Sequence, residues 1–354
     1  MAYDSLTHTF PPLDVNRLLQ DHVPPPQFAH ARLENYRPNQ RHPSQQEALN
    51  RVESFAEQIT PQRRLWTLPR RRRRAPDSLY LDGGYGVGKT HLLAGLAHRL
   101  GPEAATYGTF VEYTHLVGAL GYNHTLEHLQ AKAVVCIDEF ELDDPGDTLM
   151  MSRMIRELTD AGVRVVATSN TQPEALGQER FAAEDFQREI QSLAHRFEIL
   201  ALDGPDYRAR HLNLDLPTKD NDVVARLVHG STHATLDSLE DLVNHLAQVH
   251  PSRYGLLLDG VDLVGVTNGY EVDDDALGLR LVVLVDRLYD RSIPVLIANI
   301  GLGELFSPRL LRGGYRKKYS RALSRLAALT ELAHHRLESV SSKGEAMLGG
   351  TQAP

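Results

Sequence analysis

The chain has 354 residues, of which 42% are hydrophobic and 24% are charged, and its formal net charge is −8. This length and composition predict a soluble globular protein of two or three domains with a sizeable core. The acidic balance argues against a surface that coats nucleic acid, although it is compatible with a local basic patch. One cysteine, Cys136, excludes an internal disulfide.

The first residues do not have the pattern of a secretory signal, because no basic segment is followed by an apolar one. The sequence also lacks a run of about 18 apolar residues, which a membrane-spanning helix requires. Together with the single cysteine, these features lead us to expect a cytoplasmic protein without a transmembrane segment.

The first predicted domain, residues 1–75, is an arm followed by a helix. Residues 1–45 are rich in proline and predict an extended arm with short helices, and residues 45–60 have the pattern of an amphipathic helix. Consecutive arginines from Arg70 to Arg74 then stand between two prolines. This run predicts a solvated loop, and contact with nucleic acid or an acidic lipid surface is the alternative.

A glycine-rich run follows, with the sequence Gly83-Gly84-Tyr85-Gly86-Val87-Gly88-Lys89-Thr90. It has the spacing G-x-x-x-x-G-K-[ST] of a phosphate-binding loop. Residues 78–81 before it predict a strand, and residues 91–100 after it predict a helix. A glycine loop between a strand and a helix N-terminus places backbone N–H groups around phosphate oxygens, so the run predicts a nucleotide site.

Two side chains at the end of this loop fit a nucleoside triphosphate with Mg²⁺, which makes ATP and Mg²⁺ the predicted cofactors. Lys89 is predicted to reach the β- and γ-phosphates, and the Thr90 hydroxyl to bind Mg²⁺. His91 comes next and is expected to pack on the helix rather than to bind a metal. The predicted nucleotide-binding residues of this segment are Gly83, Gly84, Tyr85, Gly86, Val87, Gly88, Lys89, Thr90 and His91.

Apolar segments separated by helical patterns predict the strands of one sheet. Alternating strands and helices favour a parallel α/β sheet that helices cover on both faces. Residues 76–215 are predicted to form this second domain. The predicted strands lie near residues 78–82, 106–111, 133–138, 163–168 and 197–202.

The third predicted strand ends in Asp138-Glu139, and the fourth is followed by Asn170. The carboxyl ends of parallel strands lie at the edge of the sheet where the phosphate loop lies. Asp138 is therefore predicted to bind Mg²⁺ with Thr90, either directly or through water, and Glu139 to position and polarise the attacking water. Asn170 is predicted to hydrogen-bond that water, with Thr168 as the second candidate.

The third predicted domain, residues 216–335, begins with a mainly helical part over residues 216–250. A strand–helix–strand unit follows, and residues 336–354 predict a disordered tail. The unit weakly resembles residues 135–170, and generic similarity between such units is favoured over a duplication. Its predicted elements are a strand at 255–259, a helix at 276–290 and a strand at 294–298.

A basic helix is predicted over about residues 315–335, and basic residues are frequent in and just before it. This segment predicts either contact with phosphate backbones, acidic lipid or an acidic partner, or a solvated helix face. The favoured interpretation is the solvated face, with Tyr315 and Tyr319 as core residues. The basic residues concerned are Arg309, Arg312, Arg316, Lys317, Lys318, Arg321 and Arg325.

Several motifs together resemble the AAA+-type ATPases of the ZapE cell-division family, which has mitochondrial relatives. The resemblance covers roughly residues 30–330. Its motifs are Glu34-Asn35-Tyr36-Arg37-Pro38, the glycine loop with His91-Leu92-Leu93, Ile137-Asp138-Glu139-Phe140 with Asp143 and Asp147, Ala167-Thr168-Ser169-Asn170, Asp206-Tyr207-Arg208, Leu284-Val285-Asp286-Arg287-Leu288-Tyr289-Asp290 and Ser320-Arg321-Ala322-Leu323-Ser324-Arg325-Leu326.

The resemblance implies a P-loop NTPase fold of AAA+ type, with a five-stranded parallel sheet and a C-terminal α/β extension. It implies Mg-ATP hydrolysis that remodels or regulates a protein partner in cell division, with the tubulin-like division-ring protein as the named candidate. It also implies, in relatives, peripheral association with the inner face of the membrane or chaperone-like quality control. An ATP-dependent homo-oligomer is predicted separately, because an arginine that acts on a neighbouring subunit's nucleotide requires one.

Arginines complete such sites, because γ-phosphate cleavage spreads negative charge that a neighbouring subunit's guanidinium can offset. An arginine that acts in this way on a neighbouring subunit's nucleotide is called an arginine finger. Arg180 is the first candidate for the finger, followed by Arg196 and Arg188. Arg208 is predicted to contact the nucleotide from the same chain, with Arg325 as its alternative. Many family members have an arginine in the glycine loop where this chain has Val87. Many also have a Leu-Gln-Arg-x-x-Phe segment where this chain has residues 177–182, and this second difference bears on which arginine is the finger.

Other functions remain open at this point. Helicase loaders share the core motifs, so a nucleic-acid-linked ATPase that uses the basic runs is the second interpretation. A nucleotide-gated adaptor with little turnover is the third, and Glu139 argues against it. A small-molecule kinase is the fourth and is disfavoured, because kinases with this loop seldom have a glutamate directly after the Mg²⁺-binding aspartate.

Overall fold

A computed structural model describes most of the chain, and it divides into two compact units. The phosphate-loop unit comprises Asp14–Arg210, and the C-terminal unit comprises Met1–Leu13 together with His211–Pro354. The described residues are 4–12, 15–20, 22–59, 78–84, 86–140, 145–171, 191–205 and 217–348, without the side chains of residues 16, 145, 252, 317 and 337–348.

The phosphate-loop unit contains a five-stranded sheet in the order β2-β3-β4-β1-β5. Every neighbouring pair is parallel, so all the strands have their carboxyl ends at one edge. The predicted strands and the predicted α/β fold class are thereby confirmed. The strands are β1 (Ser78–Gly83), β2 (Ala105–Thr109), β3 (Val134–Asp138), β4 (Arg164–Ser169) and β5 (Phe197–Leu202).

Apolar side chains cover both faces of this sheet, since successive residues of a strand point to opposite faces. In β3, Val135 and Ile137 belong to one hydrophobic cluster, and Val134 and Cys136 belong to another. Burial raises the pKa of the Cys136 thiol, which is therefore an inert core group. The helices of this unit are α1 (Val15–Gln20), α2 (Pro43–Ile59), α3 (Lys89–Leu100), α4 (Phe110–Leu120), α5 (Tyr122–Gln130) and α6 (Pro145–Asp160).

The C-terminal unit has its own parallel sheet, in the order β6-β7-β8. Among the described helices of the chain, none is long and apolar enough to cross a bilayer. The elements are α7 (Asn221–His229), β6 (Ala234–Ser238), α8 (Leu239–Gln248), α9 (Tyr254–Leu257), β7 (Leu263–Thr267), α10 (Asp275–Asp290), β8 (Val295–Ile297), α11 (Pro308–Arg312) and α12 (Arg316–Leu348).

The structure corrects several predictions for this unit. Residues 255–259 were predicted as a strand but form α9 and a turn, because a short apolar run fits a buried helical turn as well as a strand. The strand is β7 instead, and β6 lies within the part predicted to be mainly helical. Residues 336–348, predicted to be disordered, continue α12 to Leu348.

The succession β7–α10–β8 repeats β3–α6–β4 of the other unit. The two helices have 16 residues each, and both pairs of strands are parallel neighbours. Glu139 and Asn268 directly follow β3 and β7 in the left-handed region, with φ values of 52° and 53°. Asn170 and Asn299 follow β4 and β8. The resemblance noticed in the sequence therefore involves β7, and not residues 256–259.

The repeat extends to the strand position that β1 occupies in the phosphate-loop unit. Lys219 forms a parallel bridge with Ala298, as β1 pairs with β4. Helix α7 follows from Asn221, as α3 follows β1, but no glycine loop separates the bridge from the helix. Asn221 and Asn268 instead exchange hydrogen bonds of 2.6 and 2.9 Å at this point.

The N-terminal arm docks on the free side of β6. Asp4 forms a parallel bridge with Thr235, and the Asp4 carbonyl accepts a hydrogen bond of 3.1 Å from the Leu236 N–H. The buried carboxylate of Asp237 accepts hydrogen bonds from the Leu6 N–H at 3.0 Å and from the Ser5 hydroxyl. The arm thus acts as an additional edge segment, which protects a sheet edge from unwanted pairing.

Leu6 is the apolar anchor of this arm, since its side chain is only 2% exposed and belongs to the main cluster of the C-terminal unit. We expect Leu6→Ala to lower the stability of that unit by about 2–5 kcal/mol, as buried leucine truncations do. Thermal unfolding and protease cleavage within the arm measure the effect. Phe10→Ala is the control, because Phe10 is 62% exposed. Equal effects of the two variants would contradict the anchoring role.

Candidate active site

The glycine loop joins β1 to α3, and its conformation depends on glycine at Gly88. This residue is the N-cap of α3 with a φ of 96°, which a side chain would strain. A Cβ added here would also lie 2.6 Å from Cε2 of Tyr36. The Tyr36 hydroxyl donates to the Val87 carbonyl at 3.1 Å, and burial raises the pKa of Tyr36 to about 12, so it remains a donor at neutral pH.

Lys89 connects the loop to the end of β4. Its side chain is buried, and Nζ donates to the carbonyl oxygens of Gly83 at 2.6 Å and Gly84 at 2.7 Å. Nζ also donates to Oδ1 of Asn170 at 2.8 Å. The structure therefore brings together two of the predicted site residues that are 81 positions apart in the sequence.

Asp138, the last residue of β3, lies at the centre of a group of hydroxyl donors. Oδ2 accepts a hydrogen bond of 2.7 Å from the Tyr107 hydroxyl, and Oδ1 accepts bonds from Thr168 and, at 3.3 Å, from Thr90. Burial is the main cause that raises the pKa of Asp138, and the charge of Glu139 adds to it; the three hydroxyl bonds act in the opposite direction.

The donor set at this point fits a magnesium ion. The Thr90 hydroxyl and the Asp138 carboxylate are oxygen ligands of the kind that Mg²⁺ prefers, and their nearest oxygens are 3.3 Å apart. They stand beside the glycine loop, where a triphosphate would supply further oxygens. Thr90 and Asp138 are thus the side chains that would hold the ion.

Glu139 leaves the strand direction immediately after Asp138. Its φ of 52° lies in the left-handed region, which is unfavourable for a residue other than glycine and typical of functional sites. Its N–H donates to the Thr168 hydroxyl at 3.1 Å, and the Phe140 N–H donates to the Thr168 carbonyl at 2.7 Å. Thr168 thereby holds the backbone of both residues that follow Asp138.

The remaining predicted residues are placed only in part. His91 lies on α3, where its Nε2 is 3.0 Å from the Arg32 carbonyl and 2.9 Å from Asn35 Oδ1. Its ring lies 5.5 Å from that of Tyr36. Several predicted residues lie outside the described part of the chain, namely Tyr85, Asp143, Arg180, Arg188, Arg208 and the run from Arg70 to Arg74.

Arg196, a candidate finger, directly precedes β5. Its guanidinium donates to Asp160 Oδ1 at 2.7 Å and to the Thr159 hydroxyl at 2.6 Å. Phe197 pairs with Ser78 at the start of β1, so Arg196 lies at the edge opposite the glycine loop. At about 3.3 Å per residue the two edges are roughly 20 Å apart, so Arg196 does not reach Lys89 within its own unit.

Arg325, the alternative nucleotide-contacting arginine, makes its described contacts within the C-terminal unit. It is buried, it forms an ion pair with Asp286, and its guanidinium lies 5.1 Å from the centre of the Tyr289 ring. Arg321 pairs with the same aspartate at 3.0 Å. The C-terminal motif of the sequence thus forms an ion-pair cluster between α10 and α12.

The basic segment around α11 and α12 is partly neutralised in the same way. Arg309 pairs with Asp273 at 3.0 Å and with Asp275 at 2.7 Å. Tyr319 is buried, and the Lys318 amine lies 5.4 Å from the centre of the Tyr315 ring. These contacts favour a solvated and internally paired face over a continuous phosphate-binding surface.

Sequence reasoning did not identify Tyr107 as a neighbour of Asp138. Tyr107 is 3% exposed and lies in β2, where it pairs with Cys136. Its hydroxyl reaches Asp138 diagonally, two residues further along the neighbouring strand. Only the register between β2 and β3 brings the two together, and no local sequence pattern gives that register.

Comparisons with known proteins find a matching family and similar proteins. A family model described as AFG1-like ATPase matches residues 13–216 and 215–336. An uncharacterized protein of Schizosaccharomyces pombe is 30% identical over 150 residues, which cover 38% of this chain and 33% of that protein. Cell division protein ZapE of Escherichia coli K12 is 30% identical over 145 residues, which cover 38% of this chain and 39% of ZapE.

Each alignment therefore spans less than two fifths of the relative's own length. Among solved structures, AMPPCP-bound DnaA from Aquifex aeolicus matches 91% of this chain and 95% of its own chain, with 11% identity and a TM-score of 0.38. The DnaC helicase loader matches 50% of this chain and 99% of its own, with 18% identity and a TM-score of 0.37. These scores are too low to bear on function.

Proposed function

Because this chain belongs to the AFG1-like ATPase family, we propose that it binds Mg-ATP at the carboxyl edge of the five-stranded sheet and hydrolyses it to ADP and phosphate. One observation carries the proposal. At that edge Lys89 donates a hydrogen bond of 2.8 Å to Asn170, and Thr90 donates one of 3.3 Å to Asp138. Glu139 directly follows Asp138 in the chain.

Binding depends on the loop and on Lys89. The N–H groups at the start of α3, which begins at Lys89, carry the positive end of the helix dipole and would face the phosphates. Lys89 would exchange its carbonyl partners Gly83 and Gly84 for phosphate oxygens, which are stronger acceptors because they are charged. Thr90 and Asp138 would hold Mg²⁺, which would neutralise part of the phosphate charge.

Hydrolysis requires a positioned water. Glu139 would accept a proton from that water, whose oxygen forms a new bond to the γ-phosphorus while the bond to the β–γ bridging oxygen breaks. Asn170 is close to Lys89 and would orient the water through its amide. The left-handed backbone of Glu139, held by a hydrogen bond to Thr168, sets the direction in which the Glu139 side chain leaves the main chain.

A finger from a neighbouring copy would complete the site, and this makes the active form an oligomer. Arg180 remains the first candidate, and Arg196 and Arg188 follow. One observation bears on Arg196: it lies at the edge opposite its own loop. It would therefore act only on another chain's nucleotide, and its contact with Asp160 would have to be exchanged for phosphate.

We expect Arg196→Ala to retain ATP binding and to lose turnover if Arg196 is the finger. Mixing it with Glu139→Gln should restore part of the activity, because one subunit then supplies the arginine and the other the glutamate. Phosphate release measures this. Arg153→Ala is the control, since Arg153 is 58% exposed and pairs with Glu157. If Arg196→Ala turned ATP over at the wild-type rate, Arg196 would not be the arginine finger, and Arg180 and Arg188 would remain as candidates.

The proposed outcome of hydrolysis is the remodelling or regulation of a protein partner in cell division. The name of the relative ZapE, a cell division protein, supports this part of the proposal. The tubulin-like division-ring protein is the first candidate partner, met in the cytoplasm or at the inner face of the membrane. Co-sedimentation with its polymers in Mg-ATP is the test, and a failure to co-sediment would remove this partner.

A further inference from the structure

Tyr107 is a buried polar side chain that the predicted nucleotide chemistry does not use. Its hydroxyl donates to Oδ2 of Asp138 at 2.7 Å, and the residue is only 3% exposed. Burial of a hydroxyl is unfavourable unless it is hydrogen-bonded, and here the acceptor is a carboxylate. Bonds to charged acceptors are stronger than those between neutral groups.

The two carboxylate oxygens of Asp138 have different surroundings. Oδ1 is the oxygen near Thr90, the other proposed magnesium ligand, and it also accepts from Thr168. Oδ2 faces Tyr107. A partial rotation of the carboxylate about its Cβ–Cγ bond would turn the oxygen that faces Thr90 away from it, and the hydrogen bond from Tyr107 to the other oxygen opposes that rotation. The hydroxyl therefore helps to fix the plane of the carboxylate.

We propose that Tyr107 is a positioning residue for the magnesium ion: it holds the plane of the Asp138 carboxylate so that one oxygen faces Thr90, and it thereby sets the Mg²⁺ affinity of the nucleotide complex. This inference rests on the proposed function of the site. Outer-shell partners that orient a ligating carboxylate commonly change metal affinity by about 10- to 100-fold when they are removed.

The test is the binding of a fluorescent ATP analogue to Tyr107→Phe, measured in EDTA and along a Mg²⁺ titration. We expect unchanged affinity in EDTA, because the loop and Lys89 are untouched. The Mg²⁺ concentration at half-maximal effect should rise by about 10-fold or more. A thermal melt accompanies each variant to compare their folded fractions.

Tyr113→Phe is the matched control. Tyr113 is also fully buried in this unit, but its hydroxyl donates to the Cys136 carbonyl at 3.1 Å and not to Asp138. An equal shift in both variants, or a Tyr107→Phe titration that matches the wild type, would overturn the role of Tyr107. A wild type that binds the analogue without any Mg²⁺ dependence would instead refute the proposed magnesium site, and the inference would fall with it.

Discussion

Glu139→Gln is expected to bind Mg-ATP like the wild type and to lose about 10²- to 10⁴-fold in turnover, which is the usual contribution of a positioned general base. The amide has the same shape as the carboxylate but no charge, and it does not accept a proton from water. Binding depends on Lys89, Thr90 and the loop, which this change leaves intact. Phosphate release and equilibrium binding measure the two parts separately.

A suitable control for this variant is Glu112→Gln. Glu112 accepts a hydrogen bond of 2.6 Å from the Thr109 N–H in the capping box of α4. Glutamine serves in that position as well as glutamate, so this variant should keep both binding and turnover. Wild-type hydrolysis by Glu139→Gln would show that another group activates the water.

Lys89→Ala is expected to lose nucleotide binding, and turnover with it. The ammonium is buried against the loop, and removal of one partner of a buried charge pair costs about 3–5 kcal/mol, or roughly 10²- to 4 × 10³-fold in affinity. Isothermal titration with ATP in Mg²⁺ measures the effect. The control is Lys132→Ala, since Lys132 donates to the Pro102 carbonyl, away from the carboxyl edge of the sheet.

The same titration should give one ATP per chain for the wild type. The C-terminal unit repeats the strand order of the phosphate-loop unit, but its α7 follows the bridge at Lys219 without a glycine loop. Asn221 and Asn268 bond to each other where the loop would begin. Residual binding by Lys89→Ala at half the wild-type stoichiometry would contradict this and would reveal a second site.

Local patterns were sufficient to predict the strands of the five-stranded sheet. The glycine loop fixes the end of β1 and the start of α3, and the apolar runs before Asp138 and Asn170 are long and bounded enough to identify β3 and β4. Parallel pairing then brings their carboxyl ends together without further information. The glycine loop, Asp138 and Asn170 lie close together because the order and direction of the strands, and not the number of residues between them in the sequence, set the distances in the folded chain.

The C-terminal unit was harder to predict for physical reasons. Residues 255–258 and β7 are both short and apolar, and the choice between helix and strand depends on tertiary packing against α10. β6 contains Asp237, whose burial depends on hydrogen bonds from the arm residues Ser5 and Leu6 far away in the sequence. Tyr107 likewise depends on strand register, which a motif does not encode.

The most direct test of the central claim is the identity of the nucleotide that the protein holds after a single turnover. Substoichiometric Mg-ATP is mixed with the wild type or with Glu139→Gln, and the bound nucleotide is separated after acid quenching. We predict ADP on the wild type and unchanged ATP on Glu139→Gln over the same time. ATP that remains intact on the wild type, or ADP formed equally fast by Glu139→Gln, would contradict the account.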